Sequence, residues 1–152
     1  MDTSEILDAV NLRLLEKWPD RTIYVDVCPV DFDRPSFWLT VEKDDQTDAN
    51  RFLIRRDLQI LLTIYDELDD HYDASWSRLA RDADAARKLL TPPLAVGGRH
   101  LAPALKARPR QPDRAFLQIS LSWLENRPGA ADGGSAPAAD SYSIRLRGGI
   151  KS

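Results

Sequence analysis

Catalysis needs polar groups that converge, and the reactive side chains of this 152-residue chain are few. His71 and His100 are its only histidines, and Cys28, its only cysteine, has no histidine close in sequence to take its proton. No Gly-rich phosphate loop, HExxH or CxxC occurs, and Gly97-Gly98 lacks the rest of any nucleotide fingerprint. Two sets of carboxylates offer hard oxygen ligands. Asp66, Glu67, Asp69, Asp70 and Asp73, with His71 among them, have neither the glycine nor the spacing of a calcium loop, and a solvated acidic loop is the competing reading. Asp26, Asp31 and Asp33 flank Cys28 and loosely resemble the scattered acids of a metal-dependent nuclease. No lysine stands beside them, and turn chemistry around Pro29 and Pro35 explains them without a metal.

The remaining chemistry is that of contact. Lys106, Arg108, Arg110 and Arg114 give a basic segment that could touch phosphate in a salt-dependent, sequence-blind way. No aromatic residue is interleaved to stack a base, so a dedicated nucleic-acid reader is not expected, and the acidic surface of a neighbouring subunit is the better match. Net charge is −3, yet Met1 to Asp73 holds 18 acids and 8 bases, net −10, while Ala74 to Ser152 holds 6 acids and 13 bases, net +7. Copies could attract one another head to tail if the fold keeps those signs on different faces. Candidate contact residues are therefore Trp38, Asp44, Asp45, Asp69 and Asp70 on one side and Lys106, Arg108, Arg110, Arg114, Arg145 and Arg147 on the other. Trp38 opposes the apolar set of its strand and reads as an interface anchor, whereas Trp18, Trp76 and Trp123 lie in apolar phase and read as core.

Periodicity defines the elements that must position these groups. Ile6, Ala9, Val10, Leu14 and Trp18 recur at helical spacing behind Asp2 and Glu5, which predicts a helix from about Ser4 to Lys17. Ile23, Val25 and Val27 alternate, as do Phe37, Leu39 and Val41, and each set predicts a strand. Between Arg51 and Tyr65 apolar residues fill six of the seven even positions, the mark of a long strand that becomes central where Leu61 and Tyr65 add apolar odd positions. Trp76, Leu79, Ala83, Ala86 and Leu90 predict a second helix, capped by Asp73 or Ser75 and closed by Pro92 and Pro93. Gly97-Gly98 marks a tight hairpin. Pro103 to Arg114 reads as an extended, irregular basic loop because Pro109 and Pro112 interrupt it. Phe116 to Leu124 alternates as a long strand, Arg127 to Ser141 has the composition of a mobile loop, and Tyr142, Ile144 and Leu146 predict a short last strand. With two helices and hairpin-like connections, the expected fold is α+β: a mostly antiparallel sheet with both helices packed on one face, in a single domain over residues 1–152.

One cysteine forbids an internal disulfide, which excludes a stapled secreted scaffold. The acidic N-terminus does not read as a secretory signal, and no apolar run approaches the roughly 20 residues of a membrane span.

The helix ILDAVNLRLLEKWPD, the segment IYVDVCPVDFDRPSFWLTV with its acidic turn leading into RPSF, and the strand RFLIRRDLQILLTIYD together resemble the opening of the phage tail terminator family. The resemblance follows element order from Met1 to Trp123 and is sharpest from Trp18 to Val41. The basic segment and the Gly/Ala-rich stretch after Arg127 depart from it. The resemblance implies a virion structural protein, not an enzyme, assembled in the host cytoplasm and requiring no cofactor. It implies a homo-hexameric ring at the head-proximal end of the tail tube that ends tube polymerisation and joins the head-tail connector. Implied partners are further copies, the tail tube protein, the connector, the tail sheath where one exists, and DNA passing transiently through the lumen; no membrane is implied. Two other classes stay open at this point: a neck or head-completion adaptor, and a small metal-dependent hydrolase built on Asp31, Asp33 and the Asp66 to Asp73 cluster.

Overall fold

The computed structural model describes residues 1–71 and 74–129. Asp2 opens helix α1 (Thr3–Lys17) through a reciprocal cap: its carboxylate accepts from the Glu5 backbone N–H at 2.9 Å, and Glu5 accepts from the Asp2 N–H at 3.0 Å. One stripe, Ile6, Val10 and Leu14, is buried. Helix α2 (Trp76–Leu90) starts at Ser75, whose hydroxyl accepts from the Arg78 N–H, and buries Leu79, Ala86 and Leu90. Trp76 corrects the core expectation, being 61% exposed. Side chains in a helix lean toward its N-terminus, so a residue in the first position projects past the end of the apolar stripe instead of onto it.

Strands β1 (Thr22–Val25), β2 (Ser36–Asp48), β3 (Leu53–Tyr65), β6 (Ala104–Gln111) and β7 (Arg114–Asn126) form a five-stranded sheet in the order β1-β2-β3-β7-β6. Strands β4 (Leu94–Val96) and β5 (Arg99–Leu101) make a separate hairpin. Its turn residues Gly97 and Gly98 have φ of +57° and +77°, the pair of left-handed conformations a two-residue turn of this hand requires. β1 is parallel to β2, with Thr22 opposite Ser36 and Val25 opposite Leu39, so the two are joined by the crossing loop 26–35 and not by a hairpin. β6 and β7 are antiparallel. Bonds between Glu42 and Gln59 and between Ala49 and Leu53 show β2 and β3 running in opposite senses. Bonds from Arg127 to Phe52 and from Arg114 to Tyr65 show the same for β3 and β7.

The period-two reading holds along β3 and β7: Ile54, Leu58, Ile60, Leu62 and Ile64, and Ala115, Leu117, Ile119, Leu121 and Trp123, are all buried. Burial becomes continuous from Leu62 to Tyr65, where β3 is covered on both faces. The fold is the expected α+β, a mostly antiparallel sheet with the helices on one face. α1 contacts both α2 and β4. No helix among the described residues is long and apolar enough to cross a membrane.

Four expectations are revised. The segment Pro103 to Arg114 contains a strand, because its alternating residues pair with β7 from Ala104 to Arg108 and an edge position tolerates Pro109 at an irregularity. β2 runs on to Asp48, so Asp44 and Asp45 lie in a strand. Val27 leaves the strand phase and is exposed. Arg127, placed in a mobile loop, donates to Asp48, Asn50 and Arg51. The expected last strand from Tyr142, the loop beyond Gly129, and Asp73 lie outside the described residues.

The chain divides into two compact units. The first, Met1–Asp45 with Asp57–Ser122, holds both helices, the small hairpin, β1 and β6. The second is Gln46–Arg56 with the described part of Trp123–Ser152. Its turn is built on Asn50, whose side chain accepts from the Phe52 and Leu53 N–H groups at 2.8 and 2.9 Å, and Arg56 lies 5.3 Å over the buried Trp123 ring.

Candidate assembly surfaces

The crossing loop 26–35 is fixed at both ends. Trp38 donates from Nε1 to the Asp26 carbonyl at 3.2 Å, the Asp26 N–H donates to Leu39, and the Tyr24 hydroxyl accepts from the Asp33 N–H at 2.9 Å. Phe32 packs on Tyr65 with ring centroids 4.2 Å apart, and the Arg34 guanidinium stands 4.7 Å from one ring and 5.1 Å from the other. Arg34 also donates to the carbonyls of Asp66 and Asp113 and to the Asp113 carboxylate. Arg114 binds that carboxylate through two nitrogens at 2.8 and 2.9 Å and covers Tyr65 from 4.9 Å. The Arg114 guanidinium, with Arg34 beside it, holds the Asp113 carboxyl down at about 2, and burial pushes the Tyr65 phenol up. Trp38, Tyr24, Tyr65 and Asp113 thus anchor the loop from outside it while Val27 and Val30 project from it, 73% and 100% exposed.

A second surface is the sheet face away from the helices, where one polar row crosses four strands. Arg108 of β6 donates to Gln118 of β7 at 2.8 and 3.0 Å and to Glu42 of β2, and Gln59 of β3 donates to Glu42 at 3.0 Å. The Arg108 bond holds the Glu42 carboxyl below its ordinary value. The third surface is the outer side of α2, a shallow groove lined by Lys17, Trp76, Ala80, Arg81, Asp84 and Lys88. Arg110 lies 5.8 Å over the Trp76 ring at its margin.

The structure distributes the sequence-predicted residues among these places. Trp38 is half-buried on the polar sheet face. Asp44 accepts from the Thr3 hydroxyl, and Asp45 pairs with Lys43. Asp69 accepts from the His71 N–H in the turn after β3, where Asp70 is exposed. Lys106 is exposed on β6. Arg108 and Arg114 are engaged within the chain, while Arg145 and Arg147 lie outside the described residues. The signs mix: Glu42 meets Arg108, Asp66 meets Arg78, and Asp113 meets Arg34, so the charge imbalance between the two halves is partly neutralised internally. No group of three His, Cys, Asp or Glu placed to hold an ion occurs among the described residues. Sequence reasoning missed Glu42, Arg34, Tyr65 and Asp113. Their roles depend on neighbours brought together by strand order, and only the adjacency of Asp113 to Arg114 carries any local signal.

The ordered features of this surface are an anchored apolar loop, a bonded polar row and an aromatic-edged groove, which suit a small α+β protein built for contact. The chain belongs to the phage tail terminator family: the family model described as phage tail terminator protein matches residues 5–80, half of the chain. It is accordingly a structural protein of the phage tail. No curated protein is significantly similar to it. A solved structure, whose designation names no activity, matches 84% of this chain and 96% of its own at 15% identity with a TM-score of 0.43.

Proposed function

We propose that this protein caps the head-proximal end of the completed tail tube as a ring of six copies, halts further tube growth and presents the surface to which the head-tail connector binds. Membership of the terminator family carries the reading. The anchored loop 26–35 supports it, since Trp38, Tyr24, Tyr65 and Asp113 fix a segment whose apolar tips are exposed in the single chain. Ordered apolar tips of this kind bury their surface against a partner at little entropic cost. The tube protein, the connector, a sheath where present, and DNA in transit through the lumen are the partners of this reading. Tube protein polymerised with and without the purified chain, imaged by negative-stain electron microscopy, tests it: capped tubes of limited length are expected, with density at one end. Unchanged lengths with bare ends would refute it.

A further inference from the structure

We infer that neighbouring copies join by pairing β1 of one with β6 of the next, which continues a single sheet around the ring. The inference rests on the ring reading above and names the surfaces that make the contact. β1 and β6 are the two edges of the five-stranded sheet. β1 runs with β2, and each later step, β2 to β3, β3 to β7 and β7 to β6, reverses direction, so the two edges run in opposite senses. Rotation about an axis along the strands preserves direction. The neighbour's β1 therefore meets β6 antiparallel, with the hydrogen-bond geometry already used between β6 and β7.

The register follows from two constraints. Ile23 and Val25 pair with Phe37 and Leu39, whose side chains are buried under the helices, and Leu105 and Ala107 pair with Ile119 and Leu117 on that same side. A continuous sheet must set Ile23 and Val25 against Leu105 and Ala107, because a one-residue slip turns every side chain to the other face. Pro103 and Pro109 bound a proline-free window, Ala104 to Arg108, that matches the four residues of β1. Only one register keeps both conditions: Val25 opposite Leu105, Tyr24 opposite Lys106, Ile23 opposite Ala107 and Thr22 opposite Arg108. A shift of two residues either way brings a proline opposite β1. In this register Val25, exposed in the single chain, gains an apolar neighbour. Beyond Thr22, Asp20 lies toward the irregular end of β6 that carries Arg110.

Charge selects this pairing over a two-fold one. Asp20, Asp26, Asp31 and Asp33 flank β1 and form no ion pair among the described residues, while β6 carries Lys106 and Arg110 besides Arg108, which Glu42 already neutralises. A β6–β6 contact sets cations against cations, and a β1–β1 contact sets acids against acids; β1 on β6 joins opposite signs.

Cross-linking on tail tubes tests the register. In a Cys28→Ser background, Val25→Cys with Leu105→Cys should oxidise to a ladder of covalent oligomers ending at a closed ring. Val25→Cys with Lys106→Cys, whose side chains face opposite ways, should give about tenfold less. Asp20→Arg and Arg110→Asp should each weaken self-association about tenfold, and an equimolar mixture of the two should recover it, since each copy then supplies the sign the other lacks. No ladder from the first pair, equal ladders from both, or no recovery in the mixture would overturn the inference. Tube length is read separately: capped tubes without the ladder leave the proposed function standing and remove this contact, and uncapped tubes with wild-type protein remove the function itself.

Discussion

Glu42 and Arg108 are bonded to each other although β3 and β7 lie between their strands. With about 4.8 Å between neighbouring strands, the pair reaches across three intervals, and Gln59 and Gln118 fill the space beneath it. The open face of the sheet is thus tied from β2 to β6 by side chains as well as by its backbone ladders.

Arg108→Leu should lower stability by about 0.5–1 kcal/mol, the range for a partly exposed pair, and the thermal midpoint by about 2–3 °C. The Glu42 carboxyl titrates below its ordinary value of 4.5 in the folded state, so the bond contributes fully above that pH and is lost as pH falls through the lower folded value. Melting scans of wild type and Arg108→Leu should converge under acid and separate at neutrality.

Asp113 gives a sharper acid dependence. Its carboxyl is held at about 2 against an ordinary 3.8, so its stabilisation is complete above about pH 4 and disappears toward pH 2. Allowing for solvent screening, Asp113→Asn should cost about 1 kcal/mol at pH 7. Urea midpoints measured at pH 7 and pH 2.5 should show a gap at the first and little at the second. The same substitution should make loop 26–35 more sensitive to protease, because Arg34 loses its carboxylate partner.

Leu79 and Trp76 stand three residues apart on α2 and should behave oppositely. Leu79→Ala empties a fully buried site and should cost about 2–4 kcal/mol. Trp76→Ala removes a mostly exposed side chain and should change stability by less than about 0.5 kcal/mol. Chemical denaturation of the two variants separates them.

Gly97→Ala should destabilise by about 1 kcal/mol, since its φ of +57° disfavours any Cβ, while the nearest side-chain atom, Met1 Cβ at 3.5 Å, leaves ordinary room. Gly97→Asn should cost less, because asparagine tolerates that conformation. Thermal melts of the two variants compare them directly.

What could be read from the sequence was what local physics decides. The Asp2–Glu5 cap, the apolar phase of β3 and β7 and the paired glycines of the β4–β5 turn act over a few residues, and each forms where its pattern says. β6 was hidden because prolines and cations argue against a strand, and only its place at an edge beside β7 makes them harmless. Trp76 sits in helical phase, but phase does not tell where the covering layer ends. The bonds Arg34–Asp66, Glu42–Arg108 and Arg34–Asp113 join residues 32, 66 and 79 positions apart, separations that no window along the chain spans.

The parallel step between β1 and β2 changes the parity of the whole series. Had the chain turned back there in a hairpin, five alternating strands would begin and end pointing the same way, and the proposed seam between copies would be parallel. With one step out of alternation, the tile ends on the sense opposite to the one on which it starts. In the proposed ring each seam is then antiparallel, whatever the number of copies, and the one parallel step stays inside the tile.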